Sequence, residues 1–321
     1  MIIGGSGFFG KSLLDAFCRG QLGAFELGSI TVVSRHATRF LKDHSEFQHP
    51  AITAFDADVG SVQSLPKADW VIHAAAATDA RRYQTDPLGE TRNMVAAMEN
   101  FASIAQTDLR GSQIVFASSG AVYGTQPAEL AGWAETMAER SLEGLSDSKI
   151  VYATAKRRCE LIARQLGNNG IAITIARCFA FVGHYLPRDQ HFAVGNFLAD
   201  GLHRRPITVN ARHPVYRSVM HADDLSRWLL ALCAAATPQA SVYNVGADDA
   251  VTVNEMAKIV SDVSGSLVVA RPWDVDAVDR YIPSIQKAQR ELGLGLEFAT
   301  AQSAIADVYA RLVGSASQRL G

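Results

Sequence analysis

Apolar positions in the first half of the chain follow two alternating rhythms. Short continuous runs at Ile30–Val33, Ala51–Phe55, Trp70–Ala74, Gln113–Ala117 and Ala172–Ala176 have the length and β-branched content of strands buried on both faces. Between them the apolar residues recur three or four positions apart, which predicts helices over 88–105 and 152–166. Strand and helix in alternation make a parallel sheet covered on both sides, an α/β arrangement. Beyond Val182 the rhythm breaks. The segment 183–191, rich in turn formers and charge, reads as a loop facing a ligand. Shorter elements follow: a strand over 206–210, a helix over 223–234, a strand over 242–245, and a helix from Thr252, where Thr252 and Glu255 have capping-box spacing.

The chain opens with Ile2-Ile3-Gly4-Gly5-Ser6-Gly7-Phe8-Phe9-Gly10-Lys11, an apolar stub turning through glycines into a helix marked by Leu13, Leu14 and Phe17. Gly5, Gly7 and Gly10 fit G-x-G-x-x-G, and Gly4, Gly7 and Gly10 fit G-x-x-G-x-x-G. Either spacing lets a dinucleotide pyrophosphate approach a helix N-terminus, where backbone N–H groups and the helix dipole favour negative charge. The expected fold is therefore a Rossmann-type doubly wound parallel sheet with a smaller mixed α/β C-terminal substrate lobe. Residues 1–180 are read as the NAD(P)-binding domain, with segments near 213–235 returning to it, and 181–321 as the substrate lobe. Only three residues precede the glycines, which predicts a shortened first strand or a start placed a few residues late.

Composition narrows the function. With 321 residues, 30 basic and 32 acidic side chains and a formal charge of -2, the chain offers no electrostatic footprint for nucleic acid or an anionic membrane. No apolar run reaches the length of a membrane span and the N-terminus lacks a signal layout, so a cytoplasmic protein is expected. Cys18, Cys159, Cys178 and Cys233 stand apart from one another and read as buried reduced thiols. The nine histidines lack metal-ligand spacing, and no metal is expected.

Two further motifs carry chemistry. Tyr152-Ala-Thr-Ala-Lys156 sets a phenol and an ammonium one helical turn apart, where the cation would ease ionisation of the phenol and make it an acid/base near neutral pH. The alternative is a lysine snorkelling beside a half-buried tyrosine. Upstream, Phe116-Ala-Ser118-Ser119-Gly-Ala-Val-Tyr123-Gly124 follows a buried strand, at the carboxyl edge where α/β sheets bind ligands.

Taken with Asp56-Ala-Asp58-Val59, His73-Ala-Ala-Ala-Ala-Thr78, Arg177-Cys-Phe-Ala-Phe-Val-Gly183, Tyr216-Arg217 through Asp224, and Tyr243-Asn-Val-Gly246, these motifs make the chain resemble the extended short-chain dehydrogenase/reductase family, in its nucleotide-sugar epimerase, dehydratase and reductase branch. The resemblance implies a cofactor site formed by Gly4, Gly7, Phe8, Phe9 and Gly10, by Asp58 and Val59 at the adenine, and by Ala74, Ala75 and Ala76 along the backbone. It implies that Ser119 binds the reacting sugar oxygen, Tyr152 exchanges its proton, and Lys156 holds the nicotinamide ribose and tunes Tyr152. It places Ser118, Ser119, Asn196 and Phe197 at the substrate and Arg217 at its diphosphate; Arg280, before Tyr281-Ile-Pro283, reads as a second diphosphate contact, with a surface salt bridge as the equal alternative. A homodimer through the helices 88–105 and 152–166 is a further implication.

Departures from the family pattern sharpen the expected activity. Family 4,6-dehydratases carry an Asp-Glu pair after the catalytic hydroxyl, whereas this chain has Gly120-Ala121, so dehydration is not expected. Asp86-Pro87-Leu-Gly-Glu-Thr91 lacks the family's supporting asparagine. Where NAD enzymes present an acidic residue to the ribose, this chain reads Ser34-Arg35, with Arg39 close behind, and a guanidinium suits the 2′-phosphate of NADP. NADP is favoured and NAD remains the alternative, both arginines being solvated in that case. The expected function is oxidoreduction at C4 of a nucleotide-diphosphate sugar, leaning to reduction of a 4-keto-6-deoxyhexose. The alternatives are a 4-epimerase with tightly held cofactor and a non-catalytic dinucleotide-sensing or scaffold protein. His73 and His221 are expected to be structural, and Asp223 and Asp224 to be helix-start charges.

Overall fold

The computed structural model describes residues 1–75 and 85–318; the cofactor position expected at Ala76 lies outside them. A seven-stranded sheet is built from β1 (Ile2–Ile3), β2 (Ile30–Ser34), β3 (Ile52–Asp56), β4 (Trp70–His73), β5 (Gln113–Ser119), β6 (Ala172–Cys178) and the strand Val242–Val245. Its order is Val242–Val245, β6, β5, β4, β1, β2, β3, and every pairing from β3 to β6 is parallel. The order in which the strands are added therefore reverses between β1 and β4, the switch point at which such sheets open a crevice for ligands.

The helices used below are α1 (Phe8–Cys18), α2 (Ala37–Asp43), α3 (Pro87–Ala105) and α4 (Asp147–Asn168). One face of the sheet is sealed by α3 and α4, whose Met98, Phe101, Cys159, Ile162 and Leu166 share a core with Val71, Ile114, Phe116 and Ile173. On α3, Pro87 occupies the first turn and Asp86 accepts from Gly89 N at 2.9 Å, so the run that departs from the family pattern is a well-formed helix start. The short first strand is fully buried, and Met1 prolongs the ladder through Ile72 N to Met1 O at 2.9 Å.

Two expectations change here. α4 begins at Asp147, with Ser146 in the N-cap position, so Tyr152 sits in its second turn rather than at its start; the Ser-Asp-Ser run at 146–148 holds the helix signals that the apolar pattern missed. Cys18 is exposed, unlike Cys159, Cys178 and Cys233, because it is the last residue of α1.

Two compact units divide the described chain. The first contains 1–124, 139–178 and 226–243, and the second 125–138, 179–225 and 244–321. Within the second, Val251–Thr252, Val215–Arg217 and Asp279–Tyr281 form a small sheet. The helix Val253–Ser264 starts on the capping box read from sequence, with Glu255 N to Thr252 Oγ1 at 3.1 Å and Thr252 N to Glu255 Oε2 at 2.7 Å. No helix among the described residues is long and apolar enough to cross a membrane.

Candidate active site

Each glycine of the 4-7-10 series has its own reason to lack a side chain. Gly4 turns the chain at φ +85°, and a Cβ there would lie 2.8 Å from Ala75 N and Cα, so the exits of β1 and β4 touch. Gly7 is the N-cap of α1, no side chain caps that helix and no acidic residue occupies its first turn. A Cβ at Gly7 would meet only Gly4 O, at 3.3 Å, whereas one at Gly10 would lie 2.2 Å from Gly5 O. Turn, open approach and helix-on-strand packing are the three tasks of a dinucleotide loop. A Cβ at Gly5 would also lie 2.8 Å from Val32 Cγ1, so both glycine series are sterically constrained, and the positive φ at Gly4 marks where the chain turns. Phe8 and Phe9, edge to face at 5.7 Å, follow directly on α1.

Beside this loop, Ser6, Ser34, Arg35, His36, Arg39 and His44 line a cleft of about 290 Å³. Arg39 leans on Asp43 at 3.3 Å, while Arg35 is exposed at the end of β2. On the next loop, Asp58 accepts from Gly60 N at 2.9 Å. The carbonyls of Val59 and Val62 both accept from Asn100 Nδ2 at 2.9 Å, a clamp from α3 that sequence reasoning missed.

At the end of β5 the two serines face opposite ways, as alternate strand residues must. Ser118 Oγ, expected at the substrate, donates to the buried Glu160 at 2.7 Å. Ser119 caps the turn Gly120–Tyr123, accepting from Ala121 N at 3.2 Å. On α4, Lys156 is buried, and its Nζ donates to Ala117 O at 2.8 Å and lies 5.2 Å from the Phe116 ring; the snorkelling alternative therefore fails. Tyr152, one turn earlier, is half-buried. His73 is buried against Phe101 and Phe116, and neither ring nitrogen has a hydrogen-bond partner among the described residues. Burial first, and the Lys156 charge second, lower its pKa from 6.5 to about 4.

Residues 1–246 match the NAD dependent epimerase/dehydratase family. This chain belongs to that family. It is 24% identical over 302 residues to UDP-glucuronic acid decarboxylase 1 of Arabidopsis thaliana, a match that covers 91% of this chain and 65% of the relative; the chain thus spans under two thirds of that relative's length. The fold is shared with dTDP-glucose 4,6-dehydratase DesIV from Streptomyces venezuelae, solved with NAD and TYD bound (TM-score 0.77, 19% identity, 99% of this chain and 97% of the other). It is shared also with UDP-glucose 4-epimerase of Thermotoga maritima, solved with UDP-glucose (TM-score 0.75, 17% identity, 98% of each chain).

In this epimerase/dehydratase family member the second unit holds the other expected residues. Phe197 is buried on the helix Ala193–Leu202, and Asn196 donates through Nδ2 to Gln190 O at 2.8 Å, its Oδ1 without a partner among the described residues. Arg217 is held in a fork by Asp279, at 2.9 and 3.2 Å. Arg280 stacks on Tyr216, its guanidinium carbon 4.7 Å from the ring centroid, so the surface salt bridge offered as its alternative is replaced by a cation–π contact. His221 packs on Phe298 and its Nε2 lies 3.1 Å from Asp307. Both acids after it sit in the first helical turn and also reach across the fold, Asp223 to Arg311 at 2.9 Å and Asp224 to Glu297 N at 2.9 Å. No cluster of three metal-ligating side chains occurs among the described residues.

Proposed function

We propose that this protein moves a hydride between a nicotinamide cofactor and C4 of a nucleoside-diphosphate sugar, with Ser119, Tyr152 and Lys156 handling the attached oxygen. The observation that carries this reading is the convergence of Ser119 and the α4 stripe on the carboxyl end of one sheet, whose switch point carries an open glycine turn. The cofactor accepts or delivers the hydride when bound. Gly4, Gly7 and Gly10 with Phe8 and Phe9 would take its pyrophosphate, Asp58 and Val59 its adenine, and Ala74 to Ala76 the passing backbone. Ser119 would donate a hydrogen bond to the sugar O4. Tyr152 would take the O4 proton on oxidation and return it on reduction. Lys156 has one of its three donors engaged by Ala117 O, leaving two to hold the ribose and the Tyr152 oxygen.

Chemistry at C4 would also serve each of the activities named for these relatives. A ketone at C4 makes a C6 carboxylate a β-keto acid, acidifies the C5 proton, and can be reduced from either face; one oxidation therefore serves decarboxylation, dehydration and epimerisation. Gly120 and Ala121, lying in the turn after Ser119, supply no acid or base for dehydration. Arg35 beside the cleft near Ser6 favours NADP over the NAD of the Streptomyces neighbour, and a dissociable NADPH favours net reduction of a 4-keto-6-deoxyhexose. The second unit, with Asn196, Phe197, Arg217 and Arg280, would bind the sugar nucleotide. Exposed Leu88 on α3 and Leu161 on α4 support a homodimer through these helices, which sedimentation would contradict by finding monomer alone.

Incubation with NADPH and dTDP-4-keto-6-deoxyglucose tests the reading through loss of absorbance at the reduced cofactor. Tyr152→Phe is expected to lower turnover by about 10²- to 10⁴-fold, with cofactor Kd changed less than about two-fold. An unchanged rate would remove Tyr152 from the reaction. A second reading, a 4-epimerase with tightly held cofactor, rests on the fold shared with the Thermotoga enzyme. It requires nicotinamide in the purified protein and conversion of UDP-glucose with none added.

A further inference from the structure

Charged side chains bracket Ser119 from both sides. Lys156 donates to Ala117 O at 2.8 Å, Glu160 accepts from Ser118 Oγ at 2.7 Å, and Arg157 donates to Val122 O at 2.7 and 2.9 Å. Arg177 stacks on Tyr123, 4.5 Å from the ring centroid. Three of the four come from α4 and the fourth from β6. Glu160 joins them, since its two oxygens receive Arg177 Nε at 3.0 Å and Nη2 at 2.8 Å while it also holds Ser118. Glu139 ties Arg177, at 3.3 Å, to Arg157, at 3.0 Å. Glu160 is wholly buried and Arg177 nearly so.

A buried ion pair is a poor device for stability alone, because well-packed apolar residues often serve as well or better. What it adds is geometry. Tyr152, Lys156 and Glu160 lie at successive four-residue steps on one helix, hence along one stripe. The last two of these grip Ala117 and Ser118, the residues leading into Ser119. Helix and strand are thereby locked against sliding, and with them the heights of the two hydroxyl groups.

We propose that Glu160 is a positioning residue, which sets the Ser119 hydroxyl against Tyr152 by holding Ser118 directly and Tyr123 through Arg177. The inference rests on the proposed roles of Ser119 and Tyr152. Glu160→Gln keeps an acceptor for Ser118 but removes the buried charge facing Arg177, leaving it only the longer pair with Glu139 at 3.3 Å; Ser118→Ala removes only the hydroxyl. A misplacement on the order of 1 Å in a reacting pair costs about 10²-fold. Glu160→Gln is therefore expected to lower kcat by about 30- to 100-fold, with KM and cofactor Kd changed less than about two-fold. Ser118→Ala should lower kcat by about ten-fold, and the double variant should be no slower than Glu160→Gln, since both changes release one turn. Ile162→Val, a core change on the same helix, controls for lost stability and should leave kcat unaltered.

Turnover is read with NADPH and dTDP-4-keto-6-deoxyglucose and with UDP-glucose alone, and hydrogen exchange of the 120–124 amides is read on the free protein. Both variants should speed that exchange while Ile162→Val does not. Equal kcat in wild type and Ser118→Ala, or a loss of kcat that Ile162→Val matches at the same Tm, overturns the proposal. If Glu160→Gln fails to fold, Ser118→Ala decides. If neither probe is turned over, unchanged exchange at 120–124 in Ser118→Ala overturns it. Should Tyr152→Phe keep full activity while Glu160→Gln loses it, the acid/base reading fails rather than the positioning.

Discussion

Replacing His73 tests the linkage between burial and pH at the heart of the first unit. The imidazole is 2% exposed, its ring neighbours are Phe101 and Phe116 at centroid distances of 4.5 and 5.7 Å, and neither nitrogen has a partner among the described residues. It is therefore held neutral, with a pKa lowered from 6.5 to about 4, and burial is the larger cause, with Lys156 next. The unfolded chain takes up this proton first, so the stabilising contribution is complete above about pH 6.5 and is lost as the pH falls towards 4. A gap of about 2.5 in pKa corresponds to about 3.4 kcal/mol in full, of which about 2 kcal/mol is lost between pH 8 and pH 5. His73→Leu removes the titrating group and leaves no orphaned donor or acceptor, so stability at pH 8 should change by less than about 1 kcal/mol. Denaturant unfolding of both proteins at the two pH values is the assay. His221, whose pKa burial also lowers, is common to both and cancels in the comparison. Parallel pH profiles for wild type and His73→Leu would refute the reasoning, because no part of the acid sensitivity would then come from this ring.

Other substitutions separate folding from binding. Gly10→Ala should fail to fold or lose most of its stability, since the new Cβ would fall 2.2 Å from Gly5 O; Gly7→Ala, a tight 3.3 Å from Gly4 O, should fold with a smaller loss of Tm yet bind cofactor at least about ten-fold more weakly. Thermal melts and cofactor titration of the pair distinguish the two effects, and equal losses of Tm would contradict them. Arg35→Ala should weaken NADP by about 10- to 100-fold and leave NAD unchanged; a uniform loss of both would mean that the guanidinium does not read a 2′-phosphate. Thr252→Ala breaks the observed capping box and should cost about 1 kcal/mol, read as a lower unfolding midpoint with turnover intact.

Local signals were legible wherever their partners lie close along the chain. The strands at Ile30–Ser34 and Trp70–His73 read directly as apolar runs, and the Thr252 capping box is a four-residue affair. The start of α4 was missed because Ser146 and Asp147 lie outside the apolar stripe that marks its later turns. Ser118 and Ser119 look equivalent as letters, and strand alternation separates them only when one face is known to hold Glu160. Arg177 and Glu160 carry no local signal of their pairing, since a glutamate four residues beyond a lysine is ordinary on any helix and its partner lies on a strand 17 positions away.

Sequence alone determined the class of this protein: the strand–helix alternation, the glycine spacing, and the serine, tyrosine and lysine of its family. These are local or nearly local patterns, governed by backbone sterics and by periodicities of about two and 3.6 residues. Tertiary structure alone decided that Gly4 turns the chain at a positive φ, which serine bonds Glu160, and that Lys156 is buried rather than snorkelling. It decided too that Arg280 stacks on an aromatic ring and that Glu160, Arg177 and Ser118 form one network. Such facts depend on contacts between residues tens of positions apart, and the sheet order that brings them together is set by the packing of whole elements.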